Sequence, residues 1–489
     1  MTGTPYFVSM FESLLVACLF VAAAGCASLQ PPSAVEQVSV DFSQIAGRIR
    51  AIHGVNGGPI SNGENPDLRP WFRQAGFPAV RLHDSRWPSP DVVDIHTIFP
   101  LAHLDADDPR NYTFAKTDDY IKGIIDTGAK VVFRLGESIE THGTQYHINP
   151  PEDMDKFARV CVNIMRHYNE GWANGLHYGI EYWEVWNEPE NRWMWTGTRE
   201  QYFTLYEKVA RALKSQDPNI KVGGPSFANP NDRPDGLARS FLAHCRNRHV
   251  PLDFFSFHCY LGDVVNRCRF VRKLLDEYGF SKTESHLNEF RYVRSWKGRH
   301  PDDPADFVNV PAWMALGTNS VGASYAVSAL IRLQDEPVDM TNYYSADTSV
   351  WGMFGPFGLR TPVFHGYRAF QELVKRPRRA VMTVTGNAKA PSQVLAGLAE
   401  NNQSAAVVLS TFRSEPGTRT ITLRGLPWNG ASRVESLMVD ETHALEPLPA
   451  RIGSDAAGAT TVTVDLAPDV ICLIRIAPSA TARPEDASQ

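Results

Sequence analysis

The chain has 489 residues, 43% hydrophobic and 21% charged, with 48 basic against 54 acidic side chains and a net charge of −6. This composition excludes collagen, coiled coil and wholesale disorder, and a chain of this length can bury a full core, as one large domain plus a smaller one, without disulfides or metals. The negative balance, with no basic run, argues against a nucleic-acid partner.

Residues 14–25 form an apolar run of about a dozen, too short to span a membrane and suited to the core of a signal peptide. The run ends in Ala23-Ala24-Gly25-Cys26, which resembles a bacterial lipobox, although no Lys or Arg precedes it and Ala23 stands where Leu is usual. Residues 1–26 therefore predict an exported protein: periplasmic, secreted, or held at the cell surface by a lipidated Cys26. Residues 27–44 read as a linker.

Over residues 45–378, eight apolar runs (48–53, 79–83, 130–135, 182–188, 221–225, 253–258, 285–290 and 322–327) alternate with amphipathic stretches. Helices are predicted over 116–127, 151–169, 199–215, 235–248 and 263–278. Eight such alternations predict an α/β fold, a parallel sheet closed into a (β/α)8 TIM barrel. An open doubly wound sheet is the alternative, but His-Gly-Val-Asn-Gly-Gly-Pro (53–59) lacks the glycine spacing of a dinucleotide turn. Residues 379–478 alternate with a period of two between turn signals and predict a C-terminal antiparallel β-sandwich. Residues 479–489 read as a disordered tail. The seven cysteines form no metal-spaced cluster, and Cys245 with Cys268 is the single pairing worth testing.

Chemistry in a barrel sits at the carboxyl ends of the strands, and polar residues gather there. They are Arg81, His83 and Asp84; Arg134 and Glu137; Asn187 and Glu188; His258 and Tyr260; Asn288 and Glu289. Glu188 follows an aromatic-rich run, in a wall whose low dielectric suits a carboxyl that must stay protonated as a general acid. Glu289, at the seventh run, is the second carboxylate. Two such groups flanking one cleft are the arrangement that splits a glycosidic bond, so a carbohydrate substrate is expected, with no cofactor and no metal. His53, read as the end of the first strand, is a candidate for binding a sugar hydroxyl. Glu137 is a candidate substrate contact or a helix cap. The loop 84–112, with Trp87, Asp91, Asp94 and His96, is expected to wall the pocket. Trp193 and Trp195 are read as sugar-stacking or packing residues.

Residues 184–189 (Glu-Val-Trp-Asn-Glu-Pro), 221–225 (Lys-Val-Gly-Gly-Pro), 253–260 and 286–290 (His-Leu-Asn-Glu-Phe) are similar to glycoside hydrolase clan A, and most closely to family 39. Residues 351–370 resemble the stretch that closes that family's barrel. The resemblance runs over about 45–475 and implies a retaining double displacement, with Glu188 as acid/base, Glu289 as nucleophile and carboxyls about 5–5.5 Å apart. It implies that Asn187 binds the sugar 2-hydroxyl, that His258 and Tyr260 orient the nucleophile's surroundings, and that Arg81 pairs with Glu289. Related xylosidases carry a Trp and an Asp on the eighth strand, absent from 324–333, with Tyr343, Tyr344 or Trp351 as substitutes. A β-xylosidase-like exo action is the first reading. An α-L-iduronidase-like or endo-acting glycosidase is the alternative, with Arg134, Arg291 and Arg294 as cations to check. A non-catalytic carbohydrate-binding barrel and a metal-dependent hydrolase are the readings from other classes. Oligomeric state is left open.

Overall fold

The computed structural model describes residues 34–59, 66–85, 89–139, 144–231, 233, 236–294 and 315–479. The export signal with Cys26, the first part of the linker, Trp87 and the tail from residue 480 lie outside the described residues.

Eight parallel strands close a barrel in chain order: β2 (His53–Asn56), β3 (Ala79–Arg81), β4 (Lys130–Leu135), β5 (Tyr182–Val185), β6 (Lys221–Phe227), β7 (Phe254–Cys259), β8 (Glu284–Phe290) and β9 (Met340–Tyr343). Strands buried on both faces are the rule for such a sheet, and β2, β3, β5 and β7 are buried at every position. Helices cover the outside, and the longer ones are capped as their sequences suggest. Asp153 accepts from Asp155 N and Lys156 N to start Met154–Glu170, and Thr198 with Gln201 forms a capping box for Arg199–Gln216.

The eighth strand is a correction. Residues 322–327, expected to be extended, lie in a helix, Ser320–Arg332, begun by Asn319 Oδ1 accepting from Val321 N and Gly322 N. This helix packs against Pro362–Val374 on one side and the C-terminal sheet on the other, so it is apolar nearly all round and carries no amphipathic signature. The strand that closes the barrel, Met340–Tyr343, is four residues long, and Thr341 and Asn342 in it are wholly buried.

The second sheet has ten strands. They include β1 (Ala34–Arg48), β10 (Arg378–Gly386), β11 (Gln393–Leu398), β12 (Ala405–Ser410), β13 (Gly417–Arg424), β17 (Thr460–Leu466) and β18 (Ile471–Pro478). Residues from Ala34 onward, expected as linker, are thus a strand in the middle of this sheet, antiparallel to β10 and parallel to β13. Its Ala34, Glu36, Val38, Val40 and Phe42 point inward at every second position. Val38, Ile421 and Val464 on β1, β13 and β17 share one apolar cluster with Val407 and Ile474 on β12 and β18, although β11 and β10 separate the two groups in the sheet order. The sheet therefore curls around its own core as one continuous hydrogen-bonded surface. The odd polar residue inside, Glu36, pairs with Arg419 at 2.8 Å with both side chains buried. Cys245 and Cys268 are free and buried. Among the described residues no helix is long and apolar enough to cross a membrane.

Candidate active site

The carboxyl ends of the strands meet around Arg81, the last residue of β3. Its guanidinium is fully buried and spends all its donors there. Nε donates to Glu184 Oε2 (2.6 Å) and Nη1 to Glu289 Oε1 (2.8 Å) and Asn56 Oδ1 (3.0 Å). Nη2 donates to Asn187 Oδ1 and Ser226 Oγ, both at 2.8 Å. A planar fork of this kind fixes several acceptors at once, and here it ties β2, β3, β5, β6 and β8 to one point.

Glu289 is held from both oxygens. Oε1 faces Arg81, and Oε2 accepts from the Tyr260 hydroxyl at 2.5 Å. Burial and the Glu289 charge push the Tyr260 phenol well above its usual range, so it remains a donor. Neutral His83 lies alongside, Nε2 3.4 Å from Glu289 Oε1, its own pKa pushed well below 6.5 by burial and by Arg81.

Glu188 approaches from β5. The chain turns sharply there, with Trp186 at φ 71° and Glu188 at φ 44°, both in the left-handed region that costs a non-glycine residue energy and that collects at functional sites. Gly136 makes room for the turn, since a Cβ on it would stand 3.1 Å from Trp186 Cα. Asn191 Nδ2 donates to Glu188 Oε2 at 2.9 Å. His258 Nδ1 lies 3.0 Å from Glu188 Oε1 and 3.4 Å from Glu289 Oε2, bridging the two carboxyls. Burial opposes charge on His258, but Glu289 and Glu188 outweigh it and its pKa is raised. An oxygen of Glu188 and one of Glu289 lie within 4.8 Å of each other.

Asn187 is wholly buried. Its Oδ1 accepts from Arg81 and Ser226, while Nδ2 has no partner among the described residues. Tyr260, Tyr344 and Trp351 form an aromatic wall, with ring centroids 6.2–6.5 Å apart. Because the barrel closes with Met340–Tyr343, the loop after the eighth strand does supply a Trp and an Asp, Trp351 and Asp347. That loop is braced by Ser349 N on Asp347 Oδ1 at 2.8 Å.

The structure thus brings Arg81, Asn187, Glu188, His258, Tyr260, Glu289 and Trp351 together. It does not bring His53. That residue begins β2 instead of ending it and is buried at the opposite end of the barrel, with Nε2 3.3 Å from Ala75 O and its ring 5.3 Å from Phe370. Glu137 neither caps a helix nor joins the Arg81 network. It is buried against His96 Nδ1, whose Nε2 reaches Asp91 at 3.1 Å. Of the two tryptophans, Trp195 is buried edge-on to Trp186 and Trp193 is exposed. Glu184 and Ser226, central to the network, were missed. The signal for Glu184 was a carboxylate inside the apolar run Tyr-Trp-Glu-Val.

Among the described residues, two groups gather histidine and carboxylate atoms within 4.8 Å, Glu188/His258/Glu289 and Asp94/His96/Glu137. In each, a buried guanidinium already occupies a carboxylate, Arg81 on Glu289 and Arg134 on Asp94 at 2.6 Å. A cation so placed opposes a metal ion.

Comparison with known proteins gives the same picture. A model of glycosyl hydrolases family 39 matches residues 68–348, more than half of the chain. A β-xylosidase from Geobacillus stearothermophilus is 34% identical over 155 residues, 30% of this chain and 29% of that one. A β-xylosidase from Caldicellulosiruptor saccharolyticus is 26% identical over 335 residues, 62% of each. The chain thus matches less than two thirds of the length of either relative. Among solved structures, a glucosidase from Croceicoccus marinus superposes with a TM-score of 0.77 at 25% identity, covering 91% of this chain and 100% of that one. A monomeric β-xylosidase from Caulobacter crescentus shares the fold, with a TM-score of 0.67 at 17% identity over 91% and 100% of the two chains. By its fold, its paired carboxyls and the match to the family model, the chain belongs to glycosyl hydrolase family 39.

Proposed function

We propose that this protein is a retaining glycoside hydrolase of the β-xylosidase type, with Glu289 as nucleophile and Glu188 as acid/base. The observation that carries the reading is the approach of the two carboxyls to within 4.8 Å across His258 Nδ1. Inverting enzymes keep their carboxyls about 6.5–9.5 Å apart to admit a water, and retaining ones about 5–5.5 Å.

Glu289 attacks the anomeric carbon while Glu188 passes its proton to the leaving oxygen. The glycosyl ester is then hydrolysed by a water that Glu188 deprotonates. Arg81 and Tyr260 hold Glu289 in line, and Asn187 Nδ2 is the donor available to the sugar 2-hydroxyl. A neutral sugar is favoured over a uronate, because Arg81 and Arg134 are paired with carboxylates and buried Arg291 donates to Trp351 O. The related β-xylosidases and glucosidase support xylose first and glucose second.

The test is a panel of aryl β-xyloside, β-glucoside, β-galactoside, α-L-arabinofuranoside and α-L-iduronide. Glu289→Gly should abolish turnover and, with azide, yield a glycosyl azide. Glu188→Ala should slow poor leaving groups far more than activated aryl glycosides. Equal loss on both would remove Glu188 from the acid role. We further propose export with anchoring at Cys26, supported by the apolar run before it. Cys26→Ala should move the protein from the membrane to the soluble fraction, and a wild-type protein retained in the cytoplasm would overturn this.

A further inference from the structure

Arg291 stands two residues beyond Glu289, where β8 has just ended at Phe290. Its side chain is buried and grips one residue of the loop after β9 in two ways. Nη1 donates to the Trp351 carbonyl, and Cζ lies over the Trp351 ring, 4.9 Å from its centroid. A cation within about 6 Å of an indole centroid is attracted to the ring face, more so when water is excluded. Burial lowers the Arg291 pKa while Tyr343, Tyr260 and Asp347 oppose the change, and a guanidinium starts so high that it keeps its charge. Gly317 makes the space, since a Cβ there would collide with Arg291 Nε.

The loop is shaped by its own bonds, Trp351 N on Ser349 Oγ at 3.1 Å and Ser345 N on Trp351 O at 3.3 Å. These set the backbone, not the angle of the indole, which follows its own side-chain torsions. The indole also meets the Tyr260 ring at 6.5 Å and 68°, and the Tyr260 hydroxyl binds Glu289 Oε2. Trp351 and Glu289 are thus joined by two routes, along the chain through Arg291 and across the pocket through Tyr260. We propose that Arg291 is a positioning residue that locks the Trp351 wall to the nucleophile's strand, so that a sugar lying against the indole meets Glu289 at a fixed distance. Slack of about 1 Å between wall and nucleophile costs rate even when every reacting group is present. Lysine cannot replace the fork, because a single ammonium reaches the carbonyl or the ring face but not both. The proposal rests on the glycosidase reading above.

The experiment is a double-mutant cycle on the full chain, with kcat/KM measured on the aryl glycoside that the wild type hydrolyses best and Tm measured alongside. Arg291→Met should lower kcat/KM roughly 10-fold, the loss of one carbonyl hydrogen bond and one ring contact. Trp351→Ala should lower it by at least as much. The double variant should stay within about 2-fold of Trp351→Ala, because a residue that acts through the indole has nothing left to position once the ring is gone. Arg291→Lys should fall between wild type and Arg291→Met. A double variant in which the two losses multiply, to roughly 100-fold, overturns the positioning role, and so does an Arg291→Met that lowers Tm and leaves kcat/KM unchanged. If neither Arg291 variant folds, the guanidinium is a folding element and the proposal falls. All of these outcomes leave the glycosidase reading intact, whereas a wild type inert on every glycoside overturns both.

Discussion

Replacing Glu184 by Gln tests whether Arg81 is shared between two buried anions. Glu184 Oε2 accepts from Arg81 Nε at 2.6 Å and Oε1 from Asn288 Nδ2 at 2.8 Å, with the side chain wholly buried. A glutamine keeps one oxygen, so in either orientation its amide N–H meets another donor. The cost is one charge-assisted hydrogen bond, about 1.5–3 kcal/mol, plus an unsatisfied buried donor, about 1–3 kcal/mol. A loss of roughly 3–5 kcal/mol is expected, a large part of a typical 5–15 kcal/mol. Guanidinium chloride unfolding followed by tryptophan fluorescence should show an earlier midpoint. The kinetic consequence is more specific. Arg81 also holds Glu289 through Nη1, so a fork released from Glu184 should lower kcat as well as stability. An unchanged midpoint together with an unchanged kcat would refute the shared-cation reasoning.

Two further outcomes test parts of the fold outside the site. Glu36→Ala leaves Arg419 buried without its carboxylate, which should cost about 3–5 kcal/mol in urea unfolding and leave kcat near wild type. A loss below about 1 kcal/mol would mean that water reaches the pair. Burial opposes charge on His96, but the hydrogen bond and charge of Glu137 outweigh it and raise its pKa to about 9. A group raised in the folded state stabilises fully below its unfolded value near 6.5, and that contribution is lost as pH rises through 9. The Tm should therefore decline over pH 6.5–9, and His96→Asn should flatten that part of the curve.

The parts of the fold legible in the sequence were those where one local signal dominates. Lys130–Leu135 is a pure buried-strand run, and Thr198 with Gln201 announces a helix start. Glu188 and Glu289 stood out because carboxylates rarely end apolar runs. The errors came where tertiary context sets the pattern. Ser320–Arg332 looks extended because packing on both sides removes its polar face, while Met340–Tyr343 hides because half of a very short strand is polar. His53 was misplaced by a strand shifted a few residues along the chain, which exchanges one end of the barrel for the other. The segment 34–44 reads as tether because strands β10 and β13, which complete it, lie hundreds of residues away. The Arg81 network was only partly visible, since Glu184 and Ser226 acquire meaning when five strands converge.

The placement of β1 bears on how this protein is made. Val35 N binds Asn387 Oδ1 across 352 positions of chain, and the parallel neighbour on the other side, β13, is made later still. During synthesis this segment is made before the barrel and has no partner until the whole barrel has followed it. Contacts of such long range slow folding, and an unpaired apolar strand is a template for aggregation. A product truncated before about residue 417 would carry the barrel and a bare edge together, so expression trials that trim the C-terminal sheet should yield insoluble protein even where every catalytic residue is retained.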